Sequence, residues 1–407
     1  MPRSFLVSPS TPADWMPPPK SDIETLTLHL RVITPLFGGG ATPRVVDQAN
    51  PIRAAAIRGH LRFWWRATVG AKCKTSAELF NEEEQLWGSA EEPSKVTLRV
   101  EVTGFGKLTS LQPGPNPRFG PQENYFLWPF NENRGEGQPE VHGLQDVRFT
   151  LNITSPLLKS EEVKQSLRAW LLLGGVGSRT RRGCGALTVE NDTHDLLPPS
   201  APNTSATWLN HLAGPIADGP TQFTRLSRGT LVFGTAMDAM RAWKDTGTFW
   251  ARLHKGHFGN QEYQPMSGGK WHDYKALKEW RVTNANHIAL VKPYWGLPLN
   301  YNDFRGKVYA PKIQPLDSGR MASPVILKPV AFADGTFRPM VAVLSAPPPQ
   351  TLEIDGKIVD LQFPTSDPVM AVLKIKQLTD KGPQTAVIVA AQSVWHNHHL
   401  IVLGGPA

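Results

Sequence analysis

Between Gly175 and Gly185 the chain reads GVGSRTRRGCG, two Gly-x-Gly pairs around five residues, three of them arginine and none acidic. Glycine lets the main chain take positive φ or lie against another backbone, so amide N–H groups can converge on an anion. Arg179, Arg181 and Arg182 add forked donors matched to phosphate oxygens. The stretch reads as a wrap for a phosphate backbone, with Gly177, Ser178, Thr180 and Gly183 as further contact positions. A glycine-rich turn with solvated arginines is the plainer alternative. A dinucleotide fingerprint would need glycine where Thr180 stands, and a Walker loop would need Gly-Lys-Ser/Thr where Gly183-Cys184-Gly185 stands. Those motifs also follow a strand and open a helix, whereas here Ser160 to Leu173 predicts a helix before the loop and Ala186 to Glu190 a strand after it.

A second basic set lies on a predicted helix running from Pro51 towards Val69. Ile57, Leu61, Trp64 and Thr68 share one face, and Arg58, Arg62 and Arg66 form a ridge at i, i+4, i+8 beside it. One side packs; the other either holds phosphate or is a solvated basic face over buried tryptophans. His60 adjoins the ridge as a further donor. Twelve histidines raise the question of acid–base RNA cleavage. His254 and His257 lie a helical turn apart, and His396, His398 and His399 crowd the C-terminal stretch, but no HExxH frame or cysteine partner accompanies them. Cys73 and Cys184 lack a CxxC partner, so the reading includes no metal, no cofactor and no disulfide framework.

The elements that must position these groups follow from period and punctuation. Thr25 to Ile33 alternates as a strand, Thr75 to Trp87 predicts a second short helix stopped by Gly88, and Val96 to Val102 and Val147 to Ile153 alternate again. With the helix and strand flanking the glycine loop the order is β-α-β-β-α-β, the ferredoxin-like plan, carrying a long insertion at 104–145. Met1 to Lys20 is a proline-rich lead, and residues 21–195 form the first unit. Leu196 to Ser205, with three prolines, reads as a linker to a second unit at 206–407. There, Phe223 to Phe233 predicts a strand, Ala236 to Leu253 a helix, and the segment around Leu277 and Trp280 another. Pro324 to Val330 and Pro339 to Leu344 predict a hairpin turning at Asp334-Gly335, with Pro368 to Leu378 as helix and Thr385 to Gln392 as strand. The length of 407 residues supports two or three domains. A formal charge of +8 and a pI near 9.4 favour a polyanionic partner, and ten Lys/Arg against four Asp/Glu fall between Lys270 and Lys328. No apolar run approaches a membrane span and no leader is evident, so a soluble protein of the cytoplasm is expected.

The glycine-loop frame after the last helix of such a unit resembles the RAMP superfamily, the repeat-associated RNA-binding proteins of CRISPR systems. PLFGGG at Pro35 to Gly40, IRGHLRFWWRATVG at Ile57 to Gly70, LWGS at Leu86 to Ser89, GLPL at Gly296 to Leu299 and RMASPVILK at Arg320 to Lys328 are similar, in that order, to the family of Cmr-type subunits numbered first in type III-B complexes. The resemblance covers about Leu26 to Val330. It implies an α+β protein of two tandem ferredoxin-like (RRM-like) domains with insertions, the second more degenerate. It implies a non-catalytic RNA-binding subunit of an antiviral ribonucleoprotein, holding the 3′ portion of the guide RNA, the target RNA or both beside other RAMP subunits. The RNA-contacting set taken from both readings is Gly39, Arg44, Arg53, Arg58, His60, Arg62, Trp65, Arg66, Gly177 to Gly183, Arg320 and Lys328. In related RAMP backbone subunits an aspartate in the first loop carries metal-dependent RNA cleavage, which makes Asp47 the catalytic candidate. Phe37 stands where the cleaving relatives have histidine, which weighs against that role, and Asp47 is otherwise a turn or capping residue or a partner of Arg44 or Arg53. A ribonuclease and a protein-only scaffold remain the alternatives.

Overall fold

The computed structural model describes residues 22–40, 45–109, 126–130, 141–214, 222–255, 272–300, 311–316, 318–363, 385–395 and 397–403. β1 (Ile23–Val32) buries Leu26, Leu28, Leu30 and Val32 and turns Thr25, Thr27 and His29 outward. It is followed by α1 (Ala54–Ala67), α2 (Ser76–Trp87), β2 (Thr97–Gly104), a short pair β3 (Lys107–Thr109) and β4 (Gly143–Gln145), β5 (Arg148–Pro156), α3 (Ser160–Leu173) and β6 (Leu187–Glu190). The sheet runs β2-β5-β1-β6 with every neighbour antiparallel. α1 and α3 pack against each other. α2 begins where expected because the Thr75 hydroxyl accepts the Glu78 N–H at 3.2 Å.

After α4 (Pro202–Ala213) come β7 (Arg225–Phe233), α5 (Ala239–Lys255), α6 (His272–Thr283), β8 (His287–Ala289), β9 (Leu299–Asn300), β10 (Lys312–Pro315), β11 (Val325–Ala331), β12 (Phe337–Ser345), β13 (Thr351–Ile354), β14 (Lys357–Gln362), α7 (Thr385–Val394) and β15 (His399–Val402). A second four-stranded sheet runs β11-β12-β7-β15, antiparallel throughout. Taken in chain order, its strands occupy the same places as those of the first sheet: second, third, first, fourth. A five-stranded sheet, β8-β14-β13-β10-β9, is inserted into this unit and was not anticipated from sequence. The protein is thus α+β with several largely antiparallel sheets.

Three expectations need correction. Thr385 to Gln392 lies in helix α7, not a strand: Val387, Ile388, Ala390 and Ala391 are all buried, a helical spacing that a short apolar run leaves ambiguous in sequence. Leu196 to Ser205 is not a loose linker. Leu196 and Leu197 are buried, their N–H groups each donate to Asp192 Oδ2 at 2.8 Å, and α4 opens with Pro202 in its first turn. One hydrophobic core also runs through both units, joining Leu28 and Trp170 to Leu231 and Phe332. The lead at 1–20 and the predicted helix at Pro368 to Leu378 lie outside the described residues.

Candidate nucleic-acid interface

Beyond the ends of β1 and β6 the chain continues the sheet's hydrogen bonding as loops. Ile33 N–H donates to Ala186 O at 2.8 Å, Gly185 N–H to Pro35 O at 2.9 Å, and Ser178 N–H to Phe37 O at 2.7 Å. The Thr34 hydroxyl donates to Gly183 O at 2.6 Å and accepts from Ala186 N–H at 2.8 Å. PLFGGG and GVGSRTRRGCG, distant in sequence, are therefore one joined structure. This close approach explains the doubled glycine frame: a Cβ at Gly177, where φ is +79°, would lie 2.6 Å from Phe37 O, and one at Gly175 would lie 2.6 Å from Gly185 O. The glycines are needed first for backbone-on-backbone packing, before any ligand. Gly177→Val would therefore break this junction and not merely obstruct a ligand.

The three arginines of the loop separate. Arg181 donates to Ser323 O and lies over the Phe63 ring. Arg182 donates to Val325 O at 2.7 Å and to Ser323 Oγ at 3.1 Å, with its guanidinium 4.4 Å from the Trp250 ring. Both are held within the RMASPVILK segment of the second unit. Trp243 Nε1–H returns a bond to Arg182 O at 2.9 Å. Thr180 is half-buried in the 3-10 turn that carries them, and Gly183 is buried against Trp243 and Leu327. Arg179 takes the left-handed conformation, φ 57°, and its guanidinium has no hydrogen-bond or ion-pair partner among the described residues. Burial pulls its pKa below the ordinary arginine value. Lys328 is wholly buried and donates to Leu171 O at 2.7 Å and Gly174 O at 2.8 Å, capping the C-terminus of α3. Burial lowers its amine to about 7. It is a staple between units, not a surface cation, whereas Arg320 is exposed.

The ridge on α1 is likewise engaged internally. Glu83, in the middle of the acidic run Glu82–Glu84, is 3% exposed and receives Arg62 Nε–H at 2.5 Å and Arg66 through Nε at 2.6 Å and Nη2 at 2.9 Å. Arg58 donates to Val96 O at 3.0 Å and to Trp87 O at the end of α2. Trp65 is buried with its indole N–H on Glu162 Oε2 at 3.1 Å, and Phe37 is buried against Phe130 with ring centroids 4.7 Å apart. Both aromatics are core residues. Asp47 Oδ1 accepts N–H groups from Ala49 at 3.0 Å and Asn50 at 2.9 Å, closing an Asx turn. No group of three or more His, Cys, Asp or Glu able to hold a metal occurs among the described residues. Arg44, His257 and His396 lie outside them.

What remains open faces a small cleft between the two loops and the start of α1. It has a volume of about 110 Å³ and is lined by Gly39, Pro51, Ile52, Arg53, Ala56, Ile57, His60, Val176 and Gly177, with no carboxylate among the described residues. The backbone N–H groups of Gly39 and Gly177 have no hydrogen-bond partner among the described residues. Arg53, at the N-cap of α1, supplies no side-chain cap, and the first turn carries no acid, so the positive end of the helix dipole faces outward uncompensated. Burial lowers the pKa of His60, which makes it a neutral donor–acceptor at pH 7. Donors and a positive helix end around a concave surface with no acid among the described residues suit an electron-rich oxygen, of a phosphate or of a carbonyl.

A family model described as the RAMP superfamily matches residues 29–188. Among curated proteins, the CRISPR system Cmr subunit Cmr1-1 of Pyrococcus furiosus is 29% identical over 151 residues, 36% of this chain and 43% of that protein. Cmr1-2 of the same organism is 27% identical over 177 residues, 40% of this chain and 92% of that protein. The chain thus matches less than half the length of the first of these relatives in sequence. Among solved structures, Cmr1 from Pyrococcus furiosus in its apo form aligns with a TM-score of 0.51 at 17% identity, covering 80% of this chain and 88% of that one. A chain of the type III-B Cmr-beta complex bound to cognate target RNA aligns with a TM-score of 0.52 at 13% identity, covering 92% of this chain and 100% of that one. These likenesses share the fold, and no helix among the described residues is long and apolar enough to cross a membrane. Both joined loops and α1 lie inside the stretch that is similar to the RAMP superfamily.

Proposed function

We propose that this protein is a subunit of a type III-B CRISPR effector complex that holds RNA by its sugar-phosphate backbone and does not cut it. Its two units are read as tandem ferredoxin-like domains, on the repeated strand order of the two four-stranded sheets. The observation that carries the RNA assignment is the sorting of the loop arginines. Arg181 and Arg182 are held by the second unit, while Arg179 is left unpaired two residues from the free N–H of Gly177. Guide RNA, target RNA and other RAMP subunits are the partners that this reading assigns. Such a role needs phosphate contacts and shape, because guide–target pairing supplies the sequence.

The test is fluorescence anisotropy of labelled single-stranded RNA with the full chain across a salt series. Arg179→Ala should weaken binding and flatten the slope of log K against log[salt] by roughly 0.7 for the lost phosphate contact. Unchanged affinity and slope would remove Arg179 from the RNA surface. The nuclease alternative requires Asp47 to reach a metal, and both N–H bonds to its Oδ1 favour the turn role.

A further inference from the structure

We infer that the cleft at the joined loops, on the RNA-holding reading above, takes one pyrimidine base of the bound strand, with uracil preferred. The cleft volume is about 110 Å³ and it opens to solvent. That volume is below the roughly 150 Å³ of an enclosed apolar cavity that accepts a benzene ring, so a base seats only through the open side, where a single six-membered ring leaves less of itself in solvent than a fused purine. Ile52, Ile57 and Val176, all buried, supply apolar wall for the faces of a ring.

The polar groups at the rim select among pyrimidines. The Arg53 guanidinium and the free N–H groups of Gly39 and Gly177 are donors only, the neutral His60 ring carries one N–H and one acceptor nitrogen, and among the described residues no carboxylate or carboxamide side chain lines the space. Uracil offers two carbonyl oxygens to such a rim. Cytosine replaces one of them with an amino donor, for which the His60 acceptor nitrogen is the one side-chain acceptor among the lining residues described.

The neighbouring surface of α1 leaves room for the strand. Ala55, Ala56 and Gly59 are exposed, and a Cβ added at Gly59 would meet nothing within 4 Å. Packing therefore does not demand this mid-helix glycine, which weakens the helix relative to alanine. What it provides is close access to the helix backbone beside His60.

The experiment measures anisotropy of equal-length labelled oligouridylate, oligocytidylate and oligoadenylate with the full chain, wild type against Ala56→Phe and His60→Ala, with far-UV circular dichroism to confirm folding. Wild type should bind oligouridylate tighter than oligoadenylate by about 5-fold or more, equivalent to about 1 kcal/mol. Ala56→Phe, which fills the cleft, should bring that ratio close to one, and His60→Ala should reduce discrimination between uridine and cytidine. Wild-type binding of all three within about twofold of one another would overturn the base site and leave the RNA-holding role standing. A retained ratio in folded Ala56→Phe protein would also overturn it. Failure to bind any of the three would sink both readings.

Discussion

Replacing Glu83 with glutamine removes one charge from the centre of the α1–α2 contact and keeps the side chain's shape. The wild-type carboxylate is 3% exposed and accepts three N–H groups from Arg62 and Arg66, at 2.5, 2.6 and 2.9 Å. An amide has one acceptor oxygen, so at least one guanidinium N–H would face an NH₂ group instead. Arg66 is 42% exposed in its side chain and regains water cheaply, whereas Arg62, at 26%, does so less well. Breaking a buried pair by removing one partner typically costs 3–5 kcal/mol. Discounted for the exposure of both arginines, about 2–3 kcal/mol is expected here. Urea unfolding of wild type, Glu83→Gln, Arg62→Met and the double variant would give the cost and the coupling in one cycle. The same substitution frees two cations on the face of α1, so RNA affinity should rise and its salt slope steepen by up to roughly 0.7 per new phosphate contact. A loss below about 0.5 kcal/mol, within the range of ordinary surface changes, would refute the view that Glu83 holds the ridge.

Lys328 gives a pH signature. Its amine titrates near 7 when folded and near 10.4 when unfolded, so between those values the unfolded chain binds the extra proton and stability rises with pH, by about 1.4 kcal/mol per unit. Unfolding measured from about pH 7.5 to 10 should show that slope, and Lys328→Met should flatten it. Gly59→Ala should stabilise the protein by about 1 kcal/mol in urea unfolding, because the new methyl group meets nothing. Gly183→Ala should destabilise it by about 2 kcal/mol or more, because φ is +75° and the Cβ would lie 2.7 Å from Trp243 Cδ1. Asp47→Ala should leave the product ladder of an assembled complex unchanged; loss of one cut with RNA binding intact would establish Asp47 as catalytic.

Elements with a clear period were legible in sequence: β1 and β5 by alternation, α2 by Thr75 and Gly88, and the β11–β12 hairpin by Asp334-Gly335. α7 was not, because an apolar run of that length suits a strand as well as a helix. Strands as short as β8, β9 and β10 carry too few residues for any period to register. The site was half legible. The sequence singled out the loop and helix that line the candidate cleft but could not show which cations already had partners inside the fold. Glu83, Ser323 and the α3 carbonyls that meet the arginines and Lys328 lie tens of residues or more from them, and a backbone carbonyl leaves no trace in composition. Burial of Trp65 and Phe37 matched the packing alternative open to any aromatic.

The contacts between the units have a consequence for how the protein can be handled. Lys328, Arg181, Arg182 and Arg225 cross from one unit to the other, and each ends on a backbone carbonyl: Gly174, Ser323, Val325 and Cys73 respectively. A carbonyl dipole at short range is barely affected by dissolved ions, unlike phosphate contacts, which weaken with every rise in ionic strength. If the protein holds RNA as proposed, concentrated salt should therefore strip that RNA and leave its two halves clasped, so that it can be cleared and reloaded without refolding.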